Sequence, residues 1–227
     1  MPDGTPPAPL TRRLLSEALG SAILFGTVIG SGVMGQRLSP GNAAVALLGN
    51  TLATGAILFV LVTVLAPISG AHMNPAVSLV AVLRRDLSRH DLLPYVAVQL
   101  AGGLVGVWIA HAMFAMPIME LSTRARTGPG QWLGEFVASF GLILCIIGTV
   151  RFRPAAVAAT VALYITAAYW FTSSTSFANP AITIARSLSD SFAGIRPADV
   201  PAFVLAQIAG ALCGSAASTR LFPDAPV

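Results

Sequence analysis

A chain of 227 residues that is 55% hydrophobic and 10% charged, with a mean hydropathy of +0.78, is not a water-soluble domain, which carries roughly 25% charged residues. Its net charge of +4 comes from thirteen Arg and no Lys. These Arg lie between apolar stretches and form no clustered face, which excludes a nucleic-acid surface and leaves membrane orientation as their meaning. The two Cys, Cys145 and Cys213, sit inside apolar segments without metal-ligand spacing, so they indicate neither a disulfide framework nor a metal centre.

In chain order, four Pro between Met1 and Leu10 predict a disordered arm over residues 1–11. Arg12-Arg13 ahead of an apolar run has the look of a signal peptide. Glu17 inside that run and five further spans argue instead for a retained first helix. Apolar segments run over 14–35, 43–67, 92–116, 131–150, 154–173 and 198–219, each long enough to cross a ~30 Å hydrocarbon core with tilt. Glu17, Glu135 and Asp199 are the charges inside them. The pattern predicts a single all-α membrane domain over 12–220 and a tail at 221–227.

Between the second and third spans stands Gly70-Ala71-His72-Met73-Asn74-Pro75-Ala76, and Thr175-Ser176-Phe177-Ala178-Asn179-Pro180-Ala181 repeats its centre 105 residues later (179 − 74). Asn is a favoured helix cap and Pro suits the first helical position. The apolar runs that follow, Ala76 to Leu83 and Ala181 to Leu188, make only ~12 Å of helix. They therefore predict two half-helices that start inside the membrane.

The rest of the chain is duplicated as well. Gln99 with Gly102 and Gly106 matches Gln207 with Gly210 and Gly214, and Glu17 matches Glu135. Three full spans per half is an odd number, so the second half (129–220) enters from the opposite face to the first (12–116). This is an inverted repeat with its site at the midplane. With the N-terminus inside, eight Arg fall on inner segments and five on outer ones, which places both termini in the cytoplasm.

Each Asn carbonyl can cap its own half-helix while the amide N–H₂ donates into a lumen. The lead-ins, Gly70 to Met73 and Thr175 to Ala178, cannot be helical. Irregular backbone at that depth is tolerated where it is buried in protein or lines a water-filled cavity, so their carbonyls predict a ladder of acceptors. His72 either lines the inner mouth or holds the loop. Glu17 and Glu135, as symmetric intramembrane carboxylates, predict bracing of the two loops and not a proton relay, with Gln99 and Gln207 in the same role. The glycine spacings predict close helix crossings. No catalytic motif is present.

Over residues 12 to 220 the chain resembles the aquaporin, or major intrinsic protein, family, on Ser-Gly-Ala-His-Met-Asn-Pro-Ala (69–76), the second Asn-Pro-Ala (179–181) and the paired Glu. The resemblance implies six transmembrane helices plus two re-entrant half-helices, a passive channel without cofactor or enzymatic activity, and a homotetramer in the plasma or inner membrane. Its substrate classes are water, glycerol and small neutral solutes including metalloid hydroxides. Most members place Arg directly after the second Asn-Pro-Ala; here that position is Ile182. Counting from the Asn residues, the other filter positions fall on Thr54, Ala167 and Ser176, with Ala168 or Thr166 as a one-residue slip. Such a filter is wide, uncharged and partly apolar. It suits solutes larger than water and resembles bacterial members associated with arsenic handling. Arg186, one turn beyond Ile182, either supplies a displaced charge at the outer mouth or pairs with Asp190. The competing readings are a mainly water-selective channel, a secondary transporter with an ion site, and a non-conducting structural protein.

Overall fold

The computed structural model describes residues 8–222. Eight helices and no strand occur among them: α1 (Leu10–Leu38), α2 (Ala43–Ser69), α3 (Pro75–Leu83), α4 (Leu92–Met113), α5 (Pro129–Phe152), α6 (Val157–Phe171), α7 (Pro180–Arg186) and α8 (Val200–Leu221). Short 3₁₀ turns at Pro154–Ala156 and Pro197–Asp199 lead into α6 and α8. Most of the expected N-terminal arm lies outside the described residues, but Leu10 and Thr11 already open α1. The expected tail likewise lies mostly outside them.

All helices except α3 and α7 are long and apolar enough to cross a membrane, alone or with their 3₁₀ lead-in. Polarity is arranged inside out. Glu17, Glu135, Gln99 and Gln207 are fully buried, while Leu19, Ile23, Phe59, Leu163 and Leu205 are exposed on the outside of the bundle. Only a hydrocarbon surround makes that distribution stable.

The two halves are α1–α4 and α5–α8. Three full crossings separate them, so α3 returns to the face that bears Leu10 and Leu221, the terminal face, and α7 returns to the far face. Each half closes on one intimate seam, α1 against α4 and α5 against α8. A Cβ added to Gly102 or Gly106 would lie 2.1 or 2.0 Å from the carbonyl oxygens of Ala18 or Ala22. At Gly210 and Gly214 the corresponding separations are 2.2 and 2.5 Å from those of Phe136 and Phe140. These four glycines let the backbones touch, as their spacing predicts.

The half-helices differ slightly from the expected runs. Helix α7 ends at Arg186 and not Leu188, because Ser187 and Leu188 turn into tighter bonds to the carbonyls of Ile184 and Ala185.

Candidate functional site

The site is built where the two half-helices start. The Asn74 side-chain oxygen accepts from Ala76 N (2.9 Å), and that of Asn179 from Ala181 N (3.0 Å) and Ile182 N (3.3 Å). Pro75 and Pro180 occupy the first turn of each. The amides do not both point freely into a lumen, as the sequence suggests. Asn74 Nδ2 donates to Ala178 O and Asn179 Nδ2 to Met73 O, each at 2.8 Å, so one N–H of each amide stitches the two halves together. Both Asn still line the cavity, with one N–H each left to donate.

The lead-ins adopt a backbone that helices cannot. Ala71, Met73, Ser176 and Ala178 have φ between 47° and 50°, in the left-handed region, with Gly70 at 89° and Thr175 at 62°. Each non-Gly residue there costs roughly 1 kcal/mol or more, and strain of this kind persists only where the surroundings hold it. Its result is a row of carbonyls at Gly70, Ala71, His72, Ser176 and Phe177 with no intramolecular donor among the described residues.

The carboxylates hold that strain. Glu17 accepts from His72 N (2.9 Å), Met73 N (2.6 Å), Ser69 Oγ (2.7 Å) and Gln99 Nε2 (2.8 Å). Glu135 accepts from Phe177 N (2.8 Å), Ala178 N (2.9 Å) and Gln207 Nε2 (2.5 Å). Each Gln amide reaches on to a hydroxyl of the half-helix, Ser78 at 3.0 Å and Thr183 at 2.8 Å. Both carboxylates are thus spent on backbone. His72 does both things the sequence leaves open: its ring lines the cavity and Nδ1 bonds Ser78 Oγ at 3.1 Å.

A cavity of about 150 Å³ runs along this junction, from Val150 and Val157 near the terminal face to Tyr169 and Arg186 near the far face. Gly70 to Asn74 and Ser176 to Asn179 form one wall. Thr175 turns away, and its hydroxyl lies 3.4 Å from Arg126 Nη1. The facing wall is branched and apolar, with Leu24, Val28, Leu58, Leu142, Val161 and Ile165 among its residues.

Two parts of the expected filter need correction. Ala167 is exposed on the outside of α6, and its neighbours by the slip reckoning do not line the cavity either. The lining face of α6 is Val157, Val161, Ile165 and Tyr169, a four-residue rhythm that the sequence offers but that counting from Asn179 overrides. The phenol of Tyr169 donates to Thr54 Oγ1 at 3.3 Å, so the level read as wide carries an aromatic side chain. Nor is that level uncharged, because Arg186 is 1% exposed and lines the cavity beside Ser176 and Ile182. Its proposed partner Asp190 instead accepts from Thr123 N and Oγ1, at 2.9 and 3.0 Å.

Arg126 is a residue the sequence did not single out. From the loop before α5 it donates Nε to Gly194 O (2.8 Å) and Nη1 to Ser174 O (3.1 Å), while its own N–H donates to Asp199 Oδ2 (2.8 Å). Burial, followed by the like charges of Arg186 and Arg124, lowers its pKa to about 9, so it is a cation at neutral pH.

An inverted helical repeat, pinned at its centre and enclosing a polar-walled passage between faces, defines a transmembrane channel. This chain belongs to the major intrinsic protein family, whose family model matches residues 7–169, and it is a multi-pass membrane channel and not an enzyme. It is 55% identical over 207 residues to the aquaglyceroporin AqpS of Rhizobium meliloti (strain 1021), covering 91% of this chain and 88% of that one. Aquaporin NIP2-3 of Zea mays is 29% identical over 231 residues, 97% of this chain and 73% of that one. The X-ray structure of the aquaglyceroporin from Plasmodium falciparum shares the fold, with a TM-score of 0.73 over 95% of this chain and 98% of that chain at 18% identity.

Proposed function

We propose that the channel passes small neutral hydroxylated solutes, glycerol-like polyols and undissociated metalloid hydroxides such as arsenite or methylated arsenicals, together with water. The observation that carries this reading is the two-sided passage. One wall presents unpaired carbonyls and Asn amides, and the other branched aliphatic side chains, with Ile182 continuing the apolar side up to the filter. A solute with hydroxyls on one edge and an apolar back exchanges hydration for the first wall and loses little against the second. Similarity to an aquaglyceroporin over most of its length supports the same class.

The contact between Tyr169 and Thr54 favours a second reading, a mainly water-conducting pore, because it narrows the level that larger solutes must cross. A secondary transporter finds no support, since both interior carboxylates are occupied by loop backbone. Homotetrameric assembly, placement in the plasma or inner membrane, and cytoplasmic termini complete the proposal, the last resting on the Arg bias between faces.

Stopped-flow light scattering on proteoliposomes, with water, glycerol and arsenite gradients in parallel, tests it. Uptake of both larger solutes above empty vesicles, proportional to the gradient and independent of sodium or proton gradients, is the expected result. Water flux with exclusion of both would establish the second reading.

A further inference from the structure

We propose that a side pocket between α3 and α5, opening at the terminal face beside the passage, binds a single-chain amphiphilic anion, a carboxylate head on an aliphatic tail, and that its occupancy restricts conduction. The binding stands on the pocket alone. Its effect on conduction rests on the channel reading.

The pocket has a volume of about 410 Å³, within the ~300–1,000 Å³ of small-molecule sites. Val80 and Ala81 of α3 and Ile143 and Ile147 of α5 form its floor, all of them buried. Val77, Ile146 and Val150 are common to this pocket and the passage, so one wall serves both. The charged groups stand at the exposed rim: Arg84 at the end of α3, Arg151 in the last turn of α5, and Asp86. Asp86 is largely exposed and meets Arg84 Nε only at 3.9 Å, a solvated contact of little strength. An apolar floor below a rim with two guanidinium groups and one carboxylate is complementary to a ligand with an aliphatic body and an anionic head. The guanidinium fork suits a carboxylate, which it can meet at both oxygens.

The inverted repeat shows why the space exists. In the other half the matching crevice lies between α7 and α1, and two devices fill it. Arg186 stands at the place of Ala81 (186 − 105 = 81), with its side chain buried. The 187–196 loop then folds back on α1, where Phe192 N donates to Gln36 Oε1 at 3.2 Å and a Cβ on Gly32 would lie 3.2 Å from that of Ala193. Gly32 corresponds to Val150 of the pocket (32 + 118 = 150). After α3, the 84–91 loop instead sends Leu87 against Tyr95 and Leu14, on α4 and α1. That leaves the crevice against α5 uncovered among the described residues, with a small side chain, Ala81, where its counterpart carries a large one.

The test uses the full chain in nanodiscs of zwitterionic lipid, titrated calorimetrically with octanoate and referenced to empty nanodiscs. Octanol and inorganic phosphate are the comparison probes. Saturable octanoate binding is expected, with octanol, which lacks the charge, and phosphate, which lacks the chain, each weaker by about tenfold or more. Arg84→Gln, at an exposed side chain, should weaken octanoate by about fivefold or more and leave octanol as it was. Ile147→Phe fills the floor at a residue outside the passage lining and should abolish binding. Should Ile147→Phe fail to fold, Arg84→Gln decides alone. In proteoliposomes, saturating octanoate should lower glycerol uptake through wild type and not through Ile147→Phe. Absence of saturable binding, equal binding of octanol or phosphate, or unchanged binding in Arg84→Gln overturns the site. Loss of octanoate binding when phosphatidylglycerol replaces part of the lipid would make a membrane lipid the occupant. Binding that requires deletion of residues 223–227 would make that segment the occupant, and either result overturns the proposal. Unchanged glycerol uptake at saturation overturns the link to conduction. A wild type that conducts no solute overturns the channel reading, while the binding result stands.

Discussion

The two re-entrant loops have the same skeleton and different dress. In the first, Ser69 O accepts from Tyr95 Oη at 3.0 Å, and the Tyr95 ring packs on His72 with centroids 5.6 Å apart. In the second, the places of His72 and Tyr95 are taken by Phe177 and Phe203, whose rings meet edge-on at 5.3 Å. Phe203 has no hydroxyl, so the equivalent carbonyl, Ser174 O, is met by Arg126 from a distant loop. Ala81 becomes Arg186 and Val77 becomes Ile182. What the halves share (Glu, Gln, capped Asn, a hydroxyl one turn into each half-helix) sets the strained backbone. What they do not share places every buried cation of the passage at the far face. The junction is symmetric because geometry demands it, whereas discrimination needs only one constriction.

The comparison breaks most sharply at the carboxylates. Glu17 meets four donors and Glu135 three. Replacing either with Gln keeps one acceptor but sets an N–H₂ against backbone N–H groups, costing about 2–5 kcal/mol. Folded yield and melting temperature in detergent should fall for both, further for Glu17→Gln than for Glu135→Gln. Normal folding with loss of a pH-dependent flux would return the proton relay to consideration.

Next come the seams. Gly102→Ala and Gly210→Ala would each drive a methyl into a carbonyl, at 2.1 and 2.2 Å, so each helix pair must separate. We expect similar losses of about 1–3 kcal/mol in thermal melts. A large difference between the two would show that the halves are not held alike.

The two devices that hold the loop carbonyls should differ in the opposite sense to the carboxylates. Tyr95→Phe removes one hydrogen bond, about 1 kcal/mol. Arg126→Met strips the carbonyls of Gly194 and Ser174 of their donor while keeping the backbone N–H that bonds Asp199. Its melting temperature should drop further, and an equal drop would mean that the loop before α5 is not a brace.

The smallest stability effect, and the most informative for conduction, is at α6. Tyr169→Phe removes the 3.3 Å contact with Thr54 and should raise glycerol relative to water uptake by a few-fold. Ala167→Leu, on the lipid side, should leave the ratio as it is. A ratio that responds to residue 167 and not to 169 would reinstate the filter counted from the sequence.

Much of this molecule is legible in its amino-acid sequence. Span lengths follow from hydropathy, the half-helices from Asn-Pro at the head of short apolar runs, and the pairing of Glu17 with Glu135 and Gln99 with Gln207 from duplication. The glycine seams follow from spacing. Each is a property of local sequence or of its repetition. Tertiary structure alone decided which face of α6 meets the lumen, where the Arg186 side chain lies and what Arg126 binds. Between α6 and Asn179 the chain is not helical, and an error of two residues in counting across it turns a helix by about 200°, which exchanges Tyr169 for Ala167. Arg186 reaches the pore because Phe177 and the 187–196 loop hold it there, and the Asn amides are half consumed because Met73 and Ala178 turn their carbonyls toward them. These are contacts between segments far apart in the chain, so neither periodicity nor repetition in the sequence reports them.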